Sequence, residues 1–432
     1  GAGSVVNLGT ITGDVTTVFI PPPSPATSLH QLPSPPRDFT GREAELAELL
    51  AALNSEPGGV TISGLHGLGG VGKTALGLKL AELLQAQYPE AQFFLDLRGA
   101  QTQEALTPAE AMAHVIRAFY PDSKLPDDEA QLSGLYQSVL HGKRALVFFD
   151  NAKDAAQVRP LIPPPTCLML VTSRRNFTLP GMRAKNIDAL TPEEAEKLLV
   201  AIAPRLKTSK VSETFEVLVH EIARLCGYLP LALRAAGSLL AASPDLDPAR
   251  YAAGLRDERT RLERIGAEGV DLGVEASFNL SFAGLPPETA RAFCGLSVFP
   301  ATFDAAAEEA ICEDEGGARL SDLARLSLAD YDEGAKRYKL HDLARLFAAA
   351  RLTDADRAET GRRHAAHYAA VLAAANELFL KGGDSIKLGL DLFDAEWGNV
   401  QAGQAWAQAN VEENDAAAEL CNEYPNAGAY VL

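Results

Sequence analysis

Cysteine, basic charge and long apolar runs are all scarce in this chain of 432 residues. Its five cysteines (Cys167, Cys226, Cys294, Cys312 and Cys421) are scattered and form no C-x-x-C pair. Neither a disulfide framework nor a zinc site is indicated by that pattern. No apolar run approaches the ~18 residues of a membrane span, and no basic region followed by an apolar stretch opens the N-terminus. A cytoplasmic location without membrane attachment is therefore expected. Lys and Arg number 39 against 57 Asp and Glu, a formal net charge of −18. That balance works against a nucleic acid or an anionic membrane as the main partner. At ~150 residues per domain, the length allows roughly three compact units with their own cores.

What is present is more specific. Residues 67–74 read G-L-G-G-V-G-K-T, the G-x-x-x-x-G-K-T pattern of a phosphate-binding loop. A short β-branched run precedes it, and 75–87 is helix-forming and free of proline, the strand–loop–helix setting the motif requires. Gly67, Gly69, Gly70, Val71 and Gly72 would turn backbone N–H groups around a β-phosphate, assisted by the helix N-terminus. Lys73 would then reach the β- and γ-phosphates and the Thr74 hydroxyl would hold Mg²⁺. The chain is expected to bind a nucleoside triphosphate.

Between residues 60 and 190, apolar runs at 93–97, 145–149 and 167–172 alternate with helical patterns at 108–120 and 129–140. The alternation predicts a parallel sheet with helices on both faces, an α/β P-loop NTPase domain. Asp150 ends the run Leu146, Val147, Phe148, Phe149, and a carboxylate there is placed to hold Mg²⁺ beside Thr74. Asn151 follows, where many ATPases carry a second acid. An amide orients water but does not take its proton at neutral pH, so hydrolysis is expected to be slow. Residues 151–154 read N-A-K-D, out of register with a guanine-binding N-K-x-D, so adenine is the expected base. Arg174 follows the third run, close to where a terminal phosphate would lie; chemistry alone does not separate a γ-phosphate sensor from a solvated Arg174–Arg175 pair.

Taken in order, these motifs resemble the NB-ARC ATPases of the STAND class, which includes apoptosome proteins, plant disease-resistance proteins and bacterial NLR-like proteins. Phe39, Thr40, Gly41, Arg42 and Glu43 are similar to that family's F-x-G-R-E signature, and 148–151 to its Walker B. Thr172, Ser173 and Arg174 resemble its sensor-1 strand, 227–233 (G-Y-L-P-L-A-L) its G-L-P-L-A-L motif, and Leu340, His341, Asp342 its M-H-D motif. The resemblance spans about residues 38–350 and implies further roles. Phe39 and Arg42 would lie beside base and ribose, Pro230 would cap the adenine, and His341 would bond the β-phosphate of ADP and lock a closed state. Thr191 and Glu194 form an independent capping-box pattern opening the first helix of the next domain.

The expected organisation is a hairpin and proline-rich linker (1–37), the P-loop domain (38–190), a helical domain (191–268), a winged-helix domain (269–352) and the start of a TPR-like helical array (353–432). Residues 1–4 look like a cloning remnant. Residues 5–20 read as a hairpin, more simply a linker strand than an effector-docking segment, and 21–36 hold seven prolines. From 270 to 350 acids outnumber bases by about two to one, so the winged helix reads as a hinge rather than a DNA reader. His364 and His367 share a helical face but lack a third ligand nearby, and read as packing residues. The apolar end at 430–432 implies a truncated chain lacking a C-terminal sensor and an N-terminal effector.

The function implied is a switch: ADP-bound and closed, exchanging to ATP, opening and self-oligomerising on sensing an unknown trigger, in bacterial defence (against phage, for example) or in gene regulation. The alternatives are a DNA-associated AAA+-like ATPase or transcription regulator, and a scaffold with structural nucleotide.

Overall fold

The computed structural model describes residues 29–54, 62–67, 69–99, 105–120, 125–207, 212–264, 272–314, 316–412 and 414–431. The hairpin expected over 5–20, and the first part of the proline-rich stretch, lie outside them.

Strands β1 (Ile62–His66), β2 (Ala91–Asp96), β3 (Ala145–Ala152), β4 (Leu168–Ser173) and β5 (Met182–Asn186) form one parallel sheet in the order β2-β3-β4-β1-β5. The central strands β3 and β4 are buried, and successive side chains serve opposite cores. Leu146, Phe148, Leu168 and Leu170 pack with Leu76 and Leu80 of the helix Lys73–Leu84. Val147, Phe149, Met169 and Val171 pack with Met112, Val115 and Ile116 of the helix Pro108–Phe119. Burial on both faces is why these strands read as unbroken apolar runs, and why the parallel sheet was legible. The helix Lys73–Leu84 approaches the sheet closely because Gly77 has no side chain: a Cβ there would lie 2.4 Å from the Phe148 ring.

Two features depart from expectation. β5 carries Met-Arg-Ala-Lys-Asn and is half exposed at the sheet edge, so it has no apolar run to betray it. At the other edge, the sequence places the start of the packed chain near Asp38, yet residues 29–31 already pair with β2. Gln31 N–H donates to the Gln92 carbonyl (2.7 Å) and Gln92 N–H to the Leu29 carbonyl (2.6 Å). An edge strand presents unpaired backbone groups, and this segment satisfies those of Gln92.

Helices Pro192–Ile202, Ser212–Leu225, Pro230–Ala242 and Pro248–Arg264 follow, and Leu272–Ala283 packs against the last two. The capping box forms as read: Thr191 Oγ1 accepts from Glu194 N–H (3.2 Å) and Glu194 Oε2 from Thr191 N–H (2.9 Å). Next come helices Pro287–Gly295, Ala305–Cys312 and Ala318–Arg325, an antiparallel hairpin of β6 (Asp330–Asp332) and β7 (Arg337–Lys339), and the helix Asp342–Ala349. Three packed helices close the chain: Asp354–Lys381, Asp384–Ala409 and Asp415–Ala427. His364 is buried between the rings of Phe299 and Tyr368.

The helix Asp384–Ala409 folds back on both earlier units. Its buried Glu396 takes a two-pronged ion pair from Arg337 (2.6 and 2.8 Å), while Gln401 bonds Arg98 (3.3 Å) and Glu110 (2.6 Å) of the sheet domain. Among the described residues, no helix is long and apolar enough to cross a membrane.

Candidate nucleotide site

All strands of the sheet point their carboxyl ends to one edge, where ligands of such folds bind. A cleft of about 1430 Å³ opens there, with Lys73, Thr74, Asp150, Arg174, Pro230 and His341 among its lining residues. The loop after β1 is folded for it: Gly67, Gly70 and Gly72 have φ of 148°, 76° and 91°, values that favour glycine. Gly67 also sits against the chain, a Cβ there meeting the Ile187 carbonyl oxygen at 2.4 Å.

Lys73 Nζ donates to the Gly67 carbonyl at 2.8 Å, which curls the ammonium over the loop. Burial, then the Arg174 charge, lowers its pKa to about 8, against the opposing pull of Asp150 and Asp342. A buried ammonium in that condition gains from an incoming polyanion. Thr74 Oγ1 donates to Asp150 Oδ1 at 2.8 Å, and Thr172 Oγ1 to the same oxygen. Burial, then the neighbouring Asp96, raises the Asp150 pKa. This hydroxyl and carboxylate are hard oxygen donors side by side, which fits Mg²⁺. Among the described residues there is no group of three His, Cys, Asp or Glu able to hold a metal.

The far wall comes from the helix Asp342–Ala349 and the hairpin before it. Asp342 Oδ2 accepts from Arg174 Nη2 and from Asn151 Nδ2, each at 3.0 Å. Asn151 holds a left-handed φ of 56°, with its N–H on Thr172 Oγ1 at 2.8 Å. His341 Nδ1 accepts the Leu343 N–H (3.2 Å), capping the helix. Burial lowers the His341 pKa against the pull of Asp342 and Asp330, which favours the neutral ring, and His341 is among the residues lining the cleft. Lys339 Nζ reaches Asp96 Oδ2 at 2.5 Å. Burial pushes the Asp96 pKa up, but Lys339 outweighs it and holds the carboxyl below its ordinary value.

Phe39, Arg42 and Val71 do not line the main cleft. With Gly72, Ala75 and Pro230 they enclose a second cavity of about 50 Å³ beside the loop. Arg42 is a brace: its guanidinium bonds the Val71 carbonyl (3.1 Å), the Asp188 carbonyl (2.5 Å) and Glu45 (2.7 Å), while its N–H bonds Glu194 (2.8 Å). Leu231 packs on the loop as well, donating its N–H to the Gly70 carbonyl at 3.3 Å. A Cβ on Gly69 would meet Leu343 at 3.2 Å, so two later units cover the loop. Sequence reasoning passed over Asp96 and Lys339. Asp96 carried a signal, an acid closing an apolar run as Asp150 does; Lys339 carried none.

A parallel five-stranded sheet, a glycine loop with Lys73 and Thr74, and Asp150 on a neighbouring strand define a P-loop nucleotidase architecture. No family model matches the chain. It is 39% identical over 331 residues to the regulatory protein AfsR of Streptomyces coelicolor, covering 74% of this chain and 32% of that protein. It is 25% identical over 298 residues to the probable disease resistance protein RF45 of Arabidopsis thaliana, covering 62% and 27%. The crystal structure of a STAND protein with a tetratricopeptide repeat sensor from Pyrococcus horikoshii superposes with a TM-score of 0.55 at 15% identity, over 94% of this chain and 59% of that one. The chain is homologous to these regulatory and disease resistance proteins and shares its fold with that STAND protein. It spans about a third of the length of the curated relatives it matches.

Proposed function

We propose that this chain is the nucleotide-controlled switch of a regulatory protein. ADP would hold the helical unit and the hairpin unit closed over the phosphate loop; exchange to ATP would open them and allow self-assembly. The observation that carries this reading is Asp342. It is supplied by the last helix of the hairpin unit and bonded by both Arg174 and Asn151 at the sheet edge. In this reading Arg174 and Asn151 would face a terminal phosphate, and they also bond the unit above, so a ligand competing for Arg174 would bear directly on closure.

In this reading the glycine loop and Lys73 cradle the phosphates, and Thr74 with Asp150 hold Mg²⁺, which would screen phosphate charge. The base lies toward Pro230, Phe39 and Val71, and His341 donates from Nε2 to the β-phosphate. With Asn151 after Asp150, turnover is slow and the chain serves as a timer more than a motor. Regulation is favoured over defence as the output, since the relatives at 39% identity are named regulatory proteins. A trigger sensed through further C-terminal repeats and an effector N-terminal to the switch belong to the same proposal.

The test is the nucleotide content of the purified chain, with calorimetry of Lys73→Ala. ADP is expected in the preparation, on a monomer, and Lys73→Ala is expected to abolish binding because the phosphates lose the loop's point charge. Near-normal ATP affinity in that variant would refute the site.

A further inference from the structure

Slow turnover at Asn151 poses a chemical question, because hydrolysis still needs a group to take a proton from water. The fold brings a carboxylate to that place from the adjacent strand. Asp96 ends β2 and is in register with Asp150 across the β2–β3 ladder. Its Oδ1 lies 3.5 Å from Asn151 Nδ2, and it lines the same cleft as Lys73 and Thr74. An acid at position 151 would put its carboxylate in the region where Asp96 already has one.

The two oxygens of Asp96 are held differently. Oδ1 accepts the Arg98 N–H at 2.9 Å, a bond within the sheet domain that fixes the aim of the group. Oδ2 is taken by the Lys339 ammonium. Lys339 belongs to β7, on the unit that also carries His341 and Asp342. A rigid movement of that unit away from the sheet would therefore part Lys339 from Asp96 together with Asp342 from Arg174. A carboxylate oxygen engaged by an ammonium has its lone pair occupied and cannot also accept a proton from water; once released, it is accessible.

We propose that Asp96 is the water-activating carboxylate of this ATPase and that Lys339 is a removable blocker that silences it in the closed state. The inference rests on the switch reading above and adds hydrolysis licensed only by opening. In the step proposed, the water oxygen forms a bond to the γ-phosphorus as the bond from that phosphorus to the β–γ bridging oxygen breaks. The bonding pair leaves on ADP, the water proton passes to Asp96, and Asp96 returns it to solvent as phosphate departs. Asn151 orients the water and the Asp96 carboxylate through its Nδ2 group.

The ordinary alternative is that Asp96 merely anchors the hairpin. The two readings separate because Lys339→Met and Asp96→Asn break the same ion pair from opposite ends. Both variants are expected to release a fluorescent ADP analogue several-fold faster than wild type, since both loosen closure. Turnover at saturating ATP is expected to split: Lys339→Met rises above wild type, whereas Asp96→Asn and the double variant fall at least ~10²-fold below Lys339→Met, the usual share of a general base. Their ATP affinities by calorimetry should stay alike. Asp96→Asn turning over as fast as Lys339→Met would reduce Asp96 to an anchor and overturn the proposal. Faster ADP release without faster turnover in Lys339→Met would overturn the blocker. If melting curves show that Asp96→Asn folds poorly, Asp96→Ser serves in its place with the same expectations. Wild-type chain that binds no ATP would overturn the switch reading itself, an outcome visible before any variant is compared.

Discussion

Replacing Asp342 with Ala tests the closed state at the point where two units meet over the nucleotide site. The change removes two hydrogen bonds to a carboxylate, from Arg174 and Asn151 at 3.0 Å each. Hydrogen bonds to charged groups are worth about 1.5–3 kcal/mol. Here the Arg174 side chain is 29% exposed and that of Asp342 15%, so solvent screening moves the figure to the low end. A total of about 1.5–3 kcal/mol for both bonds corresponds to a roughly ten- to hundredfold shift between closed and open states. ADP release, followed with a fluorescent analogue by rapid mixing, is expected to accelerate by that factor. His341→Asn is the companion variant. It offers an acceptor to the Leu343 N–H, as Asn does at helix N-caps, but lacks the Nε2 donor. Faster release there isolates the phosphate contact from the cap, which His341→Ala would remove together at a further cost of about 1 kcal/mol. Wild-type release rates in Asp342→Ala would refute the latch, because no other described bond joins Asp342 to the sheet domain.

Two further outcomes follow from charge. Random duplex DNA at low salt should not shift this chain at concentrations below micromolar, since acids outnumber bases about two to one over 270–350 and phosphate neutralisation supplies most non-specific affinity; sub-micromolar, salt-sensitive binding would favour the DNA-associated reading. Glu308 is buried with neither carboxylate oxygen hydrogen-bonded, and burial followed by repulsion from Asp314 raises its pKa to about 8. A folded pKa above the unfolded value of about 4.3 gives stability that is complete below that value and is lost as pH rises through 8. The melting temperature should therefore fall from pH 6 to pH 9, and Glu308→Gln should flatten the fall; equal slopes would show that Glu308 is not the group responsible.

The parts legible in the sequence are those whose reason is local. Gly67, Gly70, Gly72, Lys73 and Thr74 lie within one turn of chain, so their spacing alone states what they do. Thr191 and Glu194 are three residues apart and form the expected capping box. The run ending at Asp150 is apolar because both faces of β3 are buried, a constraint visible residue by residue. β5 obeyed no such constraint, being an edge strand with one covered side, and left no periodic mark.

The contacts that join the later units to this site have the opposite character. Asn151 meets Asp342 across 191 positions, Arg174 meets Asp342 across 168, and Lys339 meets Asp96 across 243. Each of these side chains is an ordinary polar residue in its own segment, and its partner is chosen by how the units dock. Arg42 shows the limit of motif reading from the other side. Its place in the F-x-G-R-E signature was plain, but the structure spends its guanidinium on the carbonyls of Val71 and Asp188. It thereby ties the phosphate loop to the strand end after β5, and lines the small cavity beside the loop. The sequence thus marks where phosphates are held, because that chemistry needs a fixed local shape. The pairs on which the proposed switch would turn, Arg174–Asp342 and Lys339–Asp96, join segments far apart in the chain and leave no such local mark.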